Sequence, residues 1–93
     1  MEGKAVPGQL VESRSGRDSG RVYLVVEVLG EGYVKVADGM VRRLENPKKK
    51  NLKHLVLHHR VAEEIAEKLQ ADERINNPEI RRAIERLVGN PEE

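Results

Sequence analysis

Three arginines surround one Gly- and Ser-rich loop near the start of the chain, SRSGRDSGR at residues 13–21. The guanidinium group matches phosphate oxygens with paired hydrogen bonds, and backbone N–H groups in glycine turns can approach phosphate closely. The loop is therefore typical of a surface that binds phosphate groups. Its candidate contact residues are Arg14, Ser15, Gly16, Arg17, Ser19, Gly20 and Arg21.

Further positive charges follow between residues 42 and 53, and we expect them to lie beside the loop because the chain is small. They are Arg42, Arg43, Lys48, Lys49, Lys50 and Lys53. Residues 1–60 contain 12 Lys and Arg against 7 Asp and Glu, whereas residues 61–93 contain 5 against 9. This division indicates a basic working surface followed by an acidic appendage. The lysine run has an equally good alternative as a solvated linker.

Other kinds of chemistry find little support in the sequence. Ser13, Ser15 and Ser19 have no convincing base nearby, and no phosphate-binding GKS or GKT loop is present. His54 and His58 are four residues apart, but no acidic residue lies near them as in a metalloprotease motif. The absence of cysteine excludes disulfides and thiolate metal sites. We expect no catalytic activity, no metal, no cofactor and no small-molecule substrate.

The chain has only two aromatic residues, Tyr23 and Tyr33. Stacking on aromatic rings is a main source of affinity for unpaired bases. Both tyrosines are more typical of the core or the rim of a small β-domain. The scarcity of aromatics therefore favours recognition of backbone shape in a structured nucleic acid, with weak reading of sequence.

The elements that position these residues begin as short strands joined by glycine turns. The clearest strand is the run VYLVVEVL at residues 22–29, which is β-branched and almost continuously apolar. Asp38-Gly39 is typical of a two-residue hairpin turn. The predicted strands cover residues 9–13, 22–29, 33–37, 40–44 and 53–57, with Lys48 to Asn51 as a cationic connection. Such strands close most economically into a small barrel.

After residue 58 the apolar spacing changes to that of a helix. The second of two predicted helices has Asn77 as its N-cap, Pro78 in its first turn and Gly89 just past its end. Its apolar stripe consists of Ile80, Ile84, Leu87 and Val88. The sequence therefore predicts a helical hairpin over residues 59–89.

Length and composition indicate a single small domain. The core of a 93-residue chain without Phe or Trp must consist of Val, Leu, Ile and Ala. The N-terminus lacks the apolar segment of a secretory signal, and no run approaches the roughly 20 apolar residues of a membrane span. We therefore expect a cytoplasmic protein without a membrane partner.

One part of the chain resembles a known family. GQLVESRSGRDSGRVYLVVEVL, with the YVKVADG hairpin after it, is similar to a KOW motif. It resembles in particular the KOW-containing proteins of the archaeal and eukaryotic large ribosomal subunit and their short bacterial relatives. The resemblance covers about residues 8–57. The matching positions are Gly8, Leu10-Val11, the loop from Gly16 to Arg21, the alternating Val22, Leu24, Val26 and Val28, and Asp38-Gly39 before Arg42-Arg43.

The resemblance implies an SH3-like barrel, which together with a short leader occupies residues 1–57. The acidic helical extension at residues 58–93 is not part of the common motif and is predicted from the apolar spacing, so the expected fold is mainly β with α-helices. It implies non-catalytic binding of structured, ribosomal RNA through the loop and the adjacent basic strands. A ribosomal or ribosome-associated role in translation would follow. The alternative is a protein-interaction module whose helical extension docks a ribosomal or transcription protein.

Overall fold

A five-stranded antiparallel sheet and two α-helices make up the fold in a computed structural model, which describes residues 4–89. The strands follow one another across the sheet in the order β4-β3-β2-β1-β5. A short 3-10 helix, Leu52–His54, connects the two edge strands β4 and β5. The elements are β1 (Gln9–Ser13), β2 (Val22–Gly30), β3 (Tyr33–Ala37), β4 (Lys48–Asn51), β5 (Leu55–Val61), α1 (Glu63–Gln70) and α2 (Asn77–Gly89).

The first three strands confirm the sequence prediction, with β2 one residue longer than expected. Gly30 pairs with Tyr33, so only two residues form the turn between β2 and β3. Both have positive φ, 56° at Glu31 and 85° at Gly32. This is the turn whose backbone twist matches that of the flanking strands.

The predicted strand at residues 40–44 is wrong, and so is the hairpin turn at Asp38-Gly39. One carboxylate oxygen of Asp38 accepts the backbone N–H groups of Met40 and Arg42 at 2.9 and 2.8 Å. These contacts hold residues 38–46 in an irregular loop. A short acidic side chain thus binds the donors that a strand ladder would have used.

The fourth strand is instead the lysine run, which the sequence predicted as a connection. Lys48–Asn51 pairs with β3 along its whole length, from Val36↔Lys48 to Tyr33↔Asn51. Lysine has a low β-propensity, but pairing and side-chain contacts override such preferences. The last strand is Leu55–Val61 rather than residues 53–57, and the predicted boundary after residue 57 falls inside it.

The sheet is strongly curled. Lys50 on the edge strand β4 donates from Nζ to Oγ of Ser13 on β1 at 3.2 Å, although β3 and β2 lie between these strands. In a flat sheet, strands three positions apart would be separated by about 14 Å. Within residues 4–89, β4 and β5 share no ladder, so their hydrogen bonds do not close the sheet into a barrel.

Both faces of the sheet are buried where β1 and β2 meet. The inner, enclosed face holds Val11, Tyr23, Val25, Val34, Val36 and Leu55. On the outer face, Leu10 and Leu24 pack against residues of the two helices: Ala62 just before α1, Ile65 on α1, and Ile80, Ala83 and Ile84 on α2. Alternate residues of β2 therefore face two different apolar layers, which explains its almost continuous apolar sequence.

The helical hairpin begins later than predicted, with α1 starting at Glu63 rather than near residue 59, because β5 continues to Val61. The cap of α2 is Asn76 and not Asn77. The Asn76 Oδ1 atom accepts the N–H of Glu79 at 2.9 Å, and the Glu79 carboxylate accepts the N–H of Asn76 at 3.0 Å. This reciprocal pair is a capping box.

Asn77 has a different role, because it joins α2 to the irregular loop. Its side chain is buried, and its Oδ1 atom accepts the N–H of Leu44 at 2.8 Å. Its amide also donates to the carboxylate of Glu45 at 3.0 Å.

No helix within residues 4–89 is long and apolar enough to cross a bilayer.

Candidate nucleic-acid interface

The Gly- and Ser-rich loop between β1 and β2 is organised around the side chain of Asp18. Its Oδ1 atom accepts the hydroxyl of Ser13 at 2.9 Å, and its Oδ2 atom accepts the hydroxyl of Tyr23 at 2.9 Å. Only 14% of the Asp18 side chain is exposed. Because its partners lie on the strands on both sides of the loop, Asp18 fixes the loop to the end of the sheet.

Two lysines of β4 reach the same carboxylate from the opposite edge of the curled sheet. The Nζ atoms of Lys48 and Lys50 lie 3.5 and 3.4 Å from Asp18 Oδ2. The Lys50 side chain is 10% exposed, so its charge is satisfied within the fold. Lys48 is 39% exposed and keeps part of its surface for solvent or a ligand.

The contacts of Asp18 shift the pKa of its own carboxyl group and that of the Tyr23 hydroxyl. Burial acts to raise the pKa of Asp18, but hydrogen bonds from Ser13 and Tyr23 and the charges of Lys50 and Lys48 outweigh it. The pKa of Asp18 is therefore held well below its usual range. The pKa of Tyr23 is raised to about 12. Burial is the larger cause, and the hydrogen bond to the Asp18 carboxylate is the next. Asp18 is ionised and Tyr23 is neutral at any physiological pH.

Part of the backbone of the loop is occupied by the loop's own hydrogen bonds. The N–H of Gly20 donates to the carbonyl of Ser13 at 2.8 Å, and the N–H of Arg21 donates to the carbonyl of Asp18 at 2.9 Å. The N–H of Ser19 donates to the carbonyl of Gly16 at 3.3 Å. These three N–H groups are therefore not free to bind phosphate.

The arginine side chains of the loop are the groups that remain available. Arg14, Arg17 and Arg21 are exposed, and none forms an ion pair with an acid in residues 4–89. The backbone N–H of Arg14 donates to the carbonyl of His54 at 2.9 Å. This contact places the 3-10 helix, with its exposed Lys53, beside the start of the loop.

Arg42 and Arg43 lie in the irregular loop rather than on a strand. The guanidinium of Arg42 donates to the carbonyl of Asn46 at 3.3 Å, and Arg43 lies 3.7 Å from the carboxylate of Glu45. Both are thus near the segment that Asn77 ties to α2.

Lys49 lies on the other face of β4. Its neighbours Lys48 and Lys50 pair with Val36 and Val34, which belong to the inner face. Since side chains alternate along a strand, Lys49 points outward, and its Nζ atom lies 4.7 Å from the centre of the Tyr33 ring. The predicted contact residues are therefore distributed over two surfaces that share one strand.

Sequence reasoning missed two residues that shape this region. Asp18 anchors the Gly- and Ser-rich loop. In the sequence, the one indication of this role was an acid that stands alone among the cations of the loop. Arg81 of α2 donates to the carbonyl of Gly39 at 3.2 Å and lines a groove of about 300 Å³ together with Arg21, Met40 and Glu85. Nothing in the sequence indicated that α2 lies beside the loop.

Within the part of the chain that the structure describes, no group of three or more His, Asp or Glu side chains is arranged to hold a metal ion. His58 instead lies 3.3 Å from the carboxylate of Glu12 on the neighbouring strand.

Neither a protein-family model nor a curated protein matches the chain.

Proposed function

We propose that this protein binds structured RNA without catalysing a reaction, as a KOW-type domain associated with the ribosome in the cytoplasm. The contacts come from Arg14, Arg17 and Arg21 of the anchored loop, with Lys48 and Lys53 beside them. The curled five-stranded sheet, with a 3-10 helix joining its edge strands, supports the finer description of the fold as an SH3-like barrel.

One observation carries the proposal: three exposed arginines project from a loop that Asp18 already holds in place. A ligand that binds a preformed loop does not have to order it, so less binding free energy is lost. Phosphate oxygens match the guanidinium group, and clustered exposed cations attract a polyanion from a distance.

Within residues 4–89, no acid of the helices forms an ion pair with an arginine of the loop. Glu64 pairs with Arg86 at 2.5 Å, and Glu79 pairs with Lys68 at 2.7 Å, so these acids are engaged within the helical layer. Of the helical acids, Glu85 lines the groove beside the loop, which Arg21, Asp38 and Arg81 also line. Helix α2 thus places one cation, Arg81, and one acid, Glu85, next to the interface.

A polarisation assay with a labelled RNA hairpin over a series of salt concentrations tests the proposal. If four to six cations neutralise phosphates, the logarithm of the association constant should fall with the logarithm of salt at a slope of about −3 to −5. Absence of binding, or binding that does not depend on salt, would reject the proposal.

A matched pair of variants locates the interface. Arg17→Ala and Arg82→Ala each remove one exposed arginine, the first from the loop and the second from α2. We expect Arg17→Ala, and more strongly Arg17→Ala with Arg21→Ala, to weaken binding about equally for all RNA sequences and to reduce the salt slope by about one per charge. Equal effects of Arg17→Ala and Arg82→Ala would show that only net charge matters.

The alternative function is docking of another protein through the helices. The acidic helices and the apolar stripe of α2 favour this function. Of that stripe, Ile80 and Ile84 are buried against the sheet, whereas Val88 is 56% exposed. Deleting residues 58–93 cannot separate the two functions, because this would remove most of β5 and half of the outer apolar layer. Salt-sensitive co-sedimentation with ribosomal particles is the appropriate test of ribosome association.

A further inference from the structure

The structure distinguishes the only two aromatic residues of the chain. Tyr23 is 3% exposed and its hydroxyl is bound to Asp18, so its ring cannot contact a ligand. Tyr33, on the outer face of β3, is 36% exposed. Of the two tyrosine rings, only that of Tyr33 is therefore accessible to a ligand.

A lysine ammonium group lies over this ring. Lys49 Nζ lies 4.7 Å from the ring centre, and Lys49 is directly opposite Lys35 in the ladder between β3 and β4. Like charges in directly opposite positions destabilise a sheet unless something compensates them. Lys35 also lies opposite Glu27 of β2, whose carboxylate is 3.8 Å from the Lys35 ammonium group and is itself 57% exposed.

The helices do not reach this part of the outer face. Leu10 and Leu24 are covered by α1 and α2, whereas Tyr33 and Lys49 at the far edge of the sheet are exposed. The backbone there is fixed by the tight turn before Tyr33 and by the N–H of Leu52, which donates to the carbonyl of Gly32 at 2.8 Å. The ring therefore stands on a rigid support.

We propose that the outer face of β3 and β4 binds an unpaired nucleotide of RNA, whose base stacks on Tyr33 while its flanking phosphates lie between Lys35 and Lys49. This inference rests on the proposed function and adds a single-stranded segment to the bound RNA. In the free protein Lys49 occupies the ring face. When RNA binds, the base takes that face and the ammonium group moves to a phosphate.

The charges favour this exchange. An exposed cation over an aromatic ring is weakly held, because its ammonium group remains hydrated. Stacking of a base on an aromatic side chain strengthens binding by about 5- to 100-fold. The displaced ammonium group then gains a phosphate partner, and the repulsion between Lys35 and Lys49 is compensated at the same time.

The strand β4 connects this face to the arginine loop. Its residues alternate, so that Lys48 and Lys50 contact Asp18 while Lys49 contacts Tyr33. An RNA whose structured part binds the loop can pass an unpaired segment over this edge strand. The two surfaces would then recognise the junction between a duplex and a single strand.

The test compares one RNA hairpin with the same hairpin carrying a single-stranded uridine tail. We expect the tail to strengthen binding by about 5- to 100-fold for the natural protein and for Tyr33→Phe, which keeps the ring. For Tyr33→Leu the tail should add less than about twofold, and the affinity for the plain hairpin should be unchanged. An abasic tail, which has phosphates but no bases, should behave alike with all three proteins.

The outcomes separate the two proposals. If no RNA binds, the proposed function fails. If the plain hairpin binds but the tail adds nothing, or if Tyr33→Leu weakens the plain hairpin as much as the tailed one, the stacking site is wrong while the arginine loop stands. Quenching of tyrosine fluorescence by the tailed RNA, lost in Tyr33→Leu, provides an independent readout of stacking.

Discussion

The carboxylate of Asp18 lies 3.4 Å from the ammonium group of Lys50, and this contact joins the loop after β1 to the edge strand β4. The same carboxylate accepts hydroxyl groups from Ser13 and Tyr23. The curl of the sheet brings these four residues together. Their contacts fix the loop that carries the three exposed arginines. A structural acid is therefore what positions a basic surface.

Replacing Asp18 with Asn should destabilise the fold by about 3 kcal/mol, because two lysines lose their anion while one of them stays almost buried. Glu63→Gln is the matched control, since Glu63 is an exposed acid without an ion pair to a described residue. Urea unfolding monitored by circular dichroism measures both. Equal stabilities for the two variants would contradict the anchoring role.

The dependence of stability on acid pH follows from the lowered pKa of Asp18. The unfolded chain takes up a proton near pH 4, whereas folded Asp18 does so only at much lower pH. The contribution of ionised Asp18 to the free energy of unfolding is thus complete above about pH 5, and it is lost as the pH falls below about 4. Asp18→Asn should flatten this decline in denaturation curves. It should keep part of the slope, because the hydrogen bond from Lys68 also lowers the pKa of Glu79.

At alkaline pH the decisive group is Tyr23, whose pKa is raised to about 12. The unfolded phenol loses its proton near pH 10, so stability should fall as the pH rises from about 10 to 12. Spectroscopic titration should show a phenol transition near pH 12, where Tyr23 ionises. In Asp18→Asn this transition should move to lower pH, and an unchanged transition would show that the carboxylate does not act on Tyr23.

Two neighbouring asparagines should differ in their effect on stability. Asn77→Ala leaves the N–H of Leu44 without its partner in a buried setting and should cost about 2 kcal/mol. Asn76→Ala removes an exposed helix cap and should cost about 1 kcal/mol. Thermal unfolding of both variants ranks them. The reverse order would show that the connection between α2 and the irregular loop contributes little.

A pair of glycines separates backbone conformation from close contact. Gly39 and Gly20 both have positive φ, 79° and 91°. A Cβ at residue 39 would lie 2.5 Å from the carbonyl oxygen of Asn77, whereas one at residue 20 would meet nothing within 4 Å. Gly20→Ala should cost about 1 kcal/mol, and Gly39→Ala should cost at least about 2 kcal/mol more. Similar losses would mean that α2 can move away from the loop.

The helical layer can be tested within α2 itself. Ile80→Ala removes a fully buried side chain between α2 and the sheet and should destabilise the whole domain by about 2–5 kcal/mol. Val88→Ala changes a side chain that is 56% exposed and should alter stability by less than about 0.5 kcal/mol. A single cooperative transition in Ile80→Ala, shifted to lower temperature, would show that the helices and the sheet unfold together.

Local sequence determined the elements whose signals agree with one another. The run at β2 is β-branched and apolar, and glycine permits the turn into β3, so the first three strands were predictable. The two helices follow from apolar spacing and punctuation by Asn and Gly. The Gly- and Ser-rich loop and its arginines also needed no tertiary information.

Tertiary structure decided the rest, because the deciding contacts join residues that are distant in the chain. Lys48–Asn51 is a strand since β3 supplies its ladder and Asp18 binds two of its lysines. Asp38 begins an irregular loop because its own side chain competes for the backbone and α2 holds the far end. Which lysines remain exposed, and that Tyr33 rather than Tyr23 reaches the surface, depends on how the sheet curls, and no local pattern encodes that.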